Sequence, residues 1–132
     1  MINILTYNQI DKQQWQELIE ASATATWFQT DEAYRFYASV SEMIPFATAV
    51  ENNGKLCAIC VGYTTKETNA IKQYLTCRAI IIGGPLLADD ATDEEVAALL
   101  QAIRRLGDKA IYVETRNFHD YSRWKAVFEA NG

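Results

Sequence analysis

The chain is poor in the residues that announce chemistry. Its 132 residues hold one histidine, three cysteines and two prolines. One histidine excludes a histidine-rich metal centre, and no resident metal or bound cofactor is expected. No apolar run approaches membrane-spanning length. Residues 1–6 are too short and lack the basic start of a signal peptide. The 12 Lys and Arg residues are scattered and the net charge is −5, which disfavours direct DNA binding because that needs a basic patch. There is no GxxxxGK loop, and no GxGxxG that runs straight into a helix. Cytoplasmic location is the expectation, with peripheral contact at the inner membrane face, or with a lipid-linked substrate, left open.

What is present is an ordinary globular composition, 49% hydrophobic and 22% charged, long enough for one domain with a real core. Cys57-Ala-Ile-Cys60 has the redox CxxC spacing. It sits inside Leu56–Val61, a β-branched apolar run, whereas a working motif puts one thiol at a helix N-terminus. Period-two alternation then sends Cys57 and Cys60 to opposite faces. With Cys77 on another strand, all three read as buried structural thiols.

The chain centres on Tyr74–Leu87. Ala79 to Ile82 are apolar without a break, as in a strand buried on both faces. Gly83-Gly84-Pro85 then forms an abrupt exit. Upstream, Ile2, Ile4 and Thr6 alternate like a short strand. Asp11 caps a helix with Gln14 as reciprocal partner; its stripe is Trp15, Leu18, Ile19 and Ser22, and it ends near Ala23. Thr30 caps a second helix with Ala33, Phe36, Tyr37 and Val40 as its apolar stripe. Ser41–Ile44 is the connection, broken at Pro45. Phe46–Val50 and Leu56–Tyr63 form a hairpin about Asn53-Gly54, and Thr64–Ile71 is a polar turn. Downstream, Thr92 and Glu95 make a capping box, and Val96, Leu99, Leu100, Ile103 and Leu106 line a helix stopped by Gly107. This reading is preferred to a calcium or magnesium site for the acidic run 89–95, which lacks the alternating ligands and glycine of a calcium loop. Ala110–Thr115 is a strand reached by a crossover of βαβ length, so it can run parallel to the central one. Asp120 caps a last helix with Tyr121, Trp124 and Phe128 on its face. No repeat or linker interrupts the chain.

No complete catalytic constellation is visible, and no catalytic residue is assigned. The candidate substrate-binding residues are Arg116, Asn117, Gly83, Gly84, Pro85, Arg78 and His119. Arg116 can clamp a phosphate or carboxylate, or pair with Glu114. Asn117 can align an amide, or merely turn the chain. The Gly83-Gly84-Pro85 turn can offer backbone N–H groups to an acyl oxygen or a phosphate, or act as a tight structural exit. Arg78 points to a cleft edge or pairs with a carboxylate. His119 is a base, or a surface residue at a helix start. Trp27, Phe28, Tyr121 and Trp124 read as core aromatics, with a hydrophobic groove as the alternative.

The element order β–α–α–β–β–β–α–β–α is an α/β mixed sheet with an antiparallel three-strand meander and flanking helices. It resembles a GNAT-like fold, with an incomplete C-terminus because further strands normally follow. Four landmarks in order resemble the Fem-type (FemA/FemB-like) aminoacyltransferases: Thr26-Trp-Phe-Gln29, the hairpin from Phe46 to Val61, Ile82-Gly-Gly-Pro-Leu86, and Ile111-Tyr-Val-Glu-Thr-Arg-Asn117. The resemblance implies residues 1–132 as one GNAT-like domain, the N-terminal part of a longer two-domain acyltransferase. It would transfer an acyl group from aminoacyl-tRNA or acyl-CoA to a peptidoglycan-type or other amine. Its implied partners are a C-terminal GNAT-like domain and a cell-wall precursor. The acidic residues Asp89–Glu95 would repel the pyrophosphate of coenzyme A. A noncatalytic interaction module is the alternative reading, and a free-standing acetyl-CoA-dependent N-acetyltransferase is the third.

Overall fold

The structure, a computed structural model, describes residues 1–22, 25–65, 78–106, 112–117 and 125–130. Its strands are β1 (Ile2–Thr6), β2 (Met43–Asn52), β3 (Lys55–Thr65), β4 (Arg78–Gly83), β5 (Leu86–Leu87) and β6 (Tyr112–Asn117). Its helices are α1 (Lys12–Ala21), α2 (Asp31–Ser39), α3 (Asp93–Leu106) and α4 (Lys125–Ala130). The strands run β1-β2-β3-β4-β6, with β5 also on β3. β2, β3 and β4 pair antiparallel, as the meander requires, and β4 and β6 pair parallel from Arg78↔Tyr112 to Gly83↔Asn117.

Alternation along the strands divides the core. Ala49 and Ile59 pack with Trp15 and Leu18 of α1 and Ala33 and Tyr37 of α2. Their neighbours Val50 and Ala58 join Cys60 and Ile81 against Leu99 of α3. Helices thus clothe both faces, so the central strand is apolar throughout; Ala79, Ile80 and Ile81 are at most 3% exposed.

Local rules account for most boundaries. Asn53 (φ 53°) and Gly54 (φ 83°) make the tight hairpin turn, the backbone that Asn-Gly favours. The Thr30 hydroxyl accepts from Ala33 N–H at 3.2 Å and caps α2. Thr92 N–H donates to Glu95 Oε1 at 2.9 Å, and Glu95 N–H to the Thr92 hydroxyl at 3.2 Å, closing the expected box on α3.

Tertiary contacts override local expectation in several places. Asp11 does cap α1, accepting from the N–H groups of Gln13 and Gln14. The Gln14 side chain does not return the bond. It reaches the hairpin, donating to Gly54 O at 3.0 Å and accepting from Leu56 N–H at 2.9 Å. Second, Pro45 does not break the pattern: β2 begins at Met43 and passes through it. Pro45 stands opposite Tyr63 of β3, and β1 pairs only with Thr48–Asn52 of β2, so the other side of β2 at Pro45 carries no described strand that would need an N–H. Third, Phe36 is 50% exposed rather than part of the buried stripe. Fourth, Trp27 is not a core aromatic either: it is 44% exposed and meets Phe36 edge to face, their ring centres 5.8 Å apart.

Fifth, Cys57 and Cys60 do not point to opposite faces. Val50 pairs with Ala58 but Glu51 with Leu56, so Cys57 is the extra residue of a β-bulge, which cancels one step of the alternation. Cys57 Sγ lies 3.2 Å from Glu95 Oε2 and Cys60 packs in the cluster of Leu99, so both meet α3. Both are buried free thiols. Thr64 and Thr65 extend β3 rather than starting a turn. Expectations for Ala23, residues 66–71, Cys77, Gly107, Ala110, Asp120, Tyr121 and Trp124 lie outside the described residues.

Candidate functional site

The sheet brings two sequence landmarks together at the C-terminal end of β4. β4 and β5 share the edge of β3, through Tyr63↔Ile80 and Ile59↔Leu86. Between these pairs the chain advances further than β3 does, and the surplus is the Gly83-Gly84-Pro85 turn. Both glycines have positive φ, 85° and 75°, a conformation that disfavours a Cβ. At Gly83 a Cβ would also stand 3.1 Å from Thr26 Oγ1 and 3.7 Å from Phe28 Cβ.

Thr26-Trp-Phe-Gln29 is the element facing the turn. Trp27–Gln29 is a single 3₁₀ turn, with Gln29 completely buried. Gln29 Oε1 accepts from Thr26 N–H at 2.6 Å, and its Nε2 donates to Gly83 O at 3.1 Å and Gly84 O at 3.2 Å. Its backbone carbonyl accepts from the Trp15 indole at 2.9 Å. One buried amide therefore satisfies both carbonyls of the glycine pair.

That arrangement leaves one group over. In a trans peptide the N–H points opposite the C=O, and the chain has no cis bond among its described residues. With Gly83 O turned to Gln29, Gly84 N–H points away from it. Gly84 is buried, yet its N–H donates to no acceptor among the described residues. Buried backbone donors are nearly always paired, and Pro85 supplies no second donor.

Of the other candidates, Arg116 and Asn117 end β6 in register with Ile82 and Gly83, which sets their backbone beside the turn. Arg78 starts β4, at the opposite end of that strand. The side chains of Arg78, Arg116 and Asn117 lie outside what is described, as does all of His119. Gln29 was missed by sequence reasoning. Its Thr26-x-x-Gln29 spacing is a legible capping box, but nothing local signals partners at Gly83 and Gly84.

The start of α3, a helix terminus of the kind that binds phosphate, is occupied by the protein's own carboxylates. Asp93, Glu94 and Glu95 fill its first turn, and Lys55 pairs with Asp90 just before it. Burial pushes the Glu95 carboxyl up, but hydrogen bonds from the Thr92 backbone, Asn52, Cys57 and the Thr92 hydroxyl outweigh it and hold the group below the ordinary carboxylate range. Burial and the Glu95 contact push the Cys57 thiol up to about 11, the reverse of an activated cysteine. No described group of three His, Cys, Asp or Glu side chains could hold a metal ion, and no described helix is long and apolar enough to cross a membrane. A separate cavity of about 310 Å³ lies between α1, β3 and the segment after β5, lined by Leu18, Leu56 and Ala88 and rimmed by Glu17, Lys55 and Asp89. It includes none of the candidate residues.

No known family model matches the sequence, and no curated protein matches it. Solved structures do match. FemX superposes with a TM-score of 0.74 at 13% identity, over 98% of this chain and 31% of that one. A ribosomal-protein-alanine N-acetyltransferase from Brucella melitensis biovar Abortus 2308 matches with a TM-score of 0.60 at 9% identity, over 98% of this chain and 90% of that one. An aminoglycoside N-acetyltransferase in complex with CoA matches with the same TM-score at 11% identity and the same coverage of both chains. The chain thus spans about a third of FemX and nearly all of the single acetyltransferases. At these identities the likeness establishes the fold, which is GNAT-like.

Proposed function

We propose that this chain is the substrate-binding or structural GNAT-like part of a Fem-like acyltransferase that forms an amide on a peptidoglycan-type or related amine. The observation carrying this reading is the buried Gly84 N–H just after β4, which has no acceptor among the described residues. It is a preorganised donor of the kind that holds an acyl carbonyl oxygen and the negative charge developing on it. In the reaction the amine nitrogen forms a bond to the acyl carbon and the bond from that carbon to the donor oxygen or sulfur breaks. The proton lost by the amine balances the one gained by the leaving group. Aminoacyl-tRNA or acyl-CoA are the candidate donors; the acidic start of α3 disfavours coenzyme A pyrophosphate. A second GNAT-like domain is the proposed structural partner, in keeping with the share of FemX that the chain spans.

Isothermal titration of the purified chain with peptidoglycan-precursor peptides bearing a free amine tests the reading. Saturable binding that N-acetylation of that amine weakens is the expected result. Absence of heat with every such peptide at soluble concentrations would sink it. The exposed, mutually packed Trp27 and Phe36 rings favour a second reading, a noncatalytic interaction module. Light scattering separates the two, since that reading requires a specific assembly that Trp27→Ser disperses.

A further inference from the structure

We propose that Gln29 is a positioning residue that makes the Gly83-Gly84 turn a hydrogen-bond donor towards its ligand. This rests on the acyl-transfer reading above and names the residue that sets the chemical sense of the same site. A glycine pair is free to rotate the peptide between its members. Rotated one way, that peptide shows a ligand its N–H; rotated the other way, its carbonyl. Gln29 removes the choice. Its Nε2 holds Gly83 O at 3.1 Å and Gly84 O at 3.2 Å, so a flip of the joining peptide would break a buried hydrogen bond.

The residue type is specific to the task. The position needs a donor towards two carbonyls and an acceptor for Thr26 N–H at 2.6 Å. Among side chains neutral at pH 7 only an amide supplies two N–H donors together with a separate acceptor oxygen. An ionised glutamate would set oxygens against two carbonyl oxygens, methionine supplies no donor, and asparagine is one methylene short. Gln29 is itself fixed by complete burial and by the Trp15 indole on its backbone carbonyl. The ligand class follows from the donor that results: an oxygen acceptor such as an acyl carbonyl or its oxyanion, not a cation.

The experiment uses the full chain labelled with nitrogen-15 and two neutral probes that avoid the acidic loop, the thioester N,S-diacetylcysteamine and its thioether counterpart N-acetyl-S-ethylcysteamine. In the wild type the thioester should bind about fivefold tighter, the worth of one neutral hydrogen bond, and should move the amide resonance of Gly84 and the side-chain amide of Gln29. Gln29→Met should abolish the thioester preference. Gln29→Glu should lack it at neutral pH and regain part of it at a pH that protonates the carboxyl. Gln14→Ala, which removes two hydrogen bonds elsewhere, should keep it. A folded Gln29→Met protein that retains both the preference and the Gly84 response overturns the inference alone. So does a wild type in which Gly84 moves and the Gln29 side chain does not, a result available even where the variants fail to fold. Equal binding of the two probes with Gly84 unmoved in the wild type overturns the acyl-binding reading, and the inference with it.

Discussion

Gly62→Ala is a severe test of how β4, and hence the glycine turn, is placed. Gly62 lies on β3 opposite Phe46 and next to Tyr63, which pairs with Ile80 of β4. A Cβ at Gly62 would collide with the Ile80 carbonyl oxygen and stand 2.7 Å from Phe46 Cζ. The ring can turn aside. The carbonyl belongs to the ladder and cannot, so β4 must move outward or lose its pairing. Overpacking of this kind costs about 3 kcal/mol, out of a total stability on the order of 5–15 kcal/mol. For a chain of this size that lowers Tm by about 12 °C. Gly54→Ala is the control, because Gly54 has φ 83° with nothing within 4 Å of its Cβ position. It bears backbone strain alone, about 1 kcal/mol, or about 4 °C. Thermal unfolding followed by circular dichroism measures both. Phe46→Leu added to Gly62→Ala should recover only part of the loss, since the carbonyl collision remains. Equal losses at the two glycines, or full recovery in the double variant, would refute the reasoning.

Further expectations concern the core and the start of α3. The Tyr37 hydroxyl is buried without a partner among the described residues, and burial pushes its pKa up to about 12; Tyr37→Phe should therefore raise stability by about 1 kcal/mol in urea titrations, and a loss of that size would show a partner at work. The Glu95 carboxyl is held below its ordinary value of 4.5, so its stabilisation is complete above the unfolded-state pKa and is lost as pH falls through the lower folded-state value. The urea midpoint should drop more steeply below about pH 4.5 in the wild type than in Glu95→Gln, and parallel curves would contradict the assignment. Cys57 and Cys60, both buried with thiols pushed up, should resist iodoacetamide at pH 8 while folded and react once unfolded, as peptide mapping can show. Gln14→Ala should cost about 1–2 kcal/mol by urea unfolding, because the side chain bonds both Gly54 and Leu56; an unchanged midpoint would mean that the hairpin holds itself.

Several features were settled by residues acting on their near neighbours. The Asn53-Gly54 turn, the Thr30 cap and the Thr92–Glu95 box were legible because each satisfies backbone groups within a few residues. The apolar run Ala79–Ile82 announced a strand covered on both sides, and the βαβ spacing announced its parallel neighbour. Only the tertiary structure decided the rest. Gln14 left its helix cap for the hairpin, Pro45 proved tolerable where β2 runs beyond the reach of β1, and a bulge turned Cys57 towards α3. Each depends on partners distant in sequence, which periodicity does not encode. The glycine turn shows the same division. Its abruptness is written in Gly83-Gly84-Pro85. That both its carbonyls are held by Gln29, more than fifty residues earlier, is not, because only folding brings that donor to them.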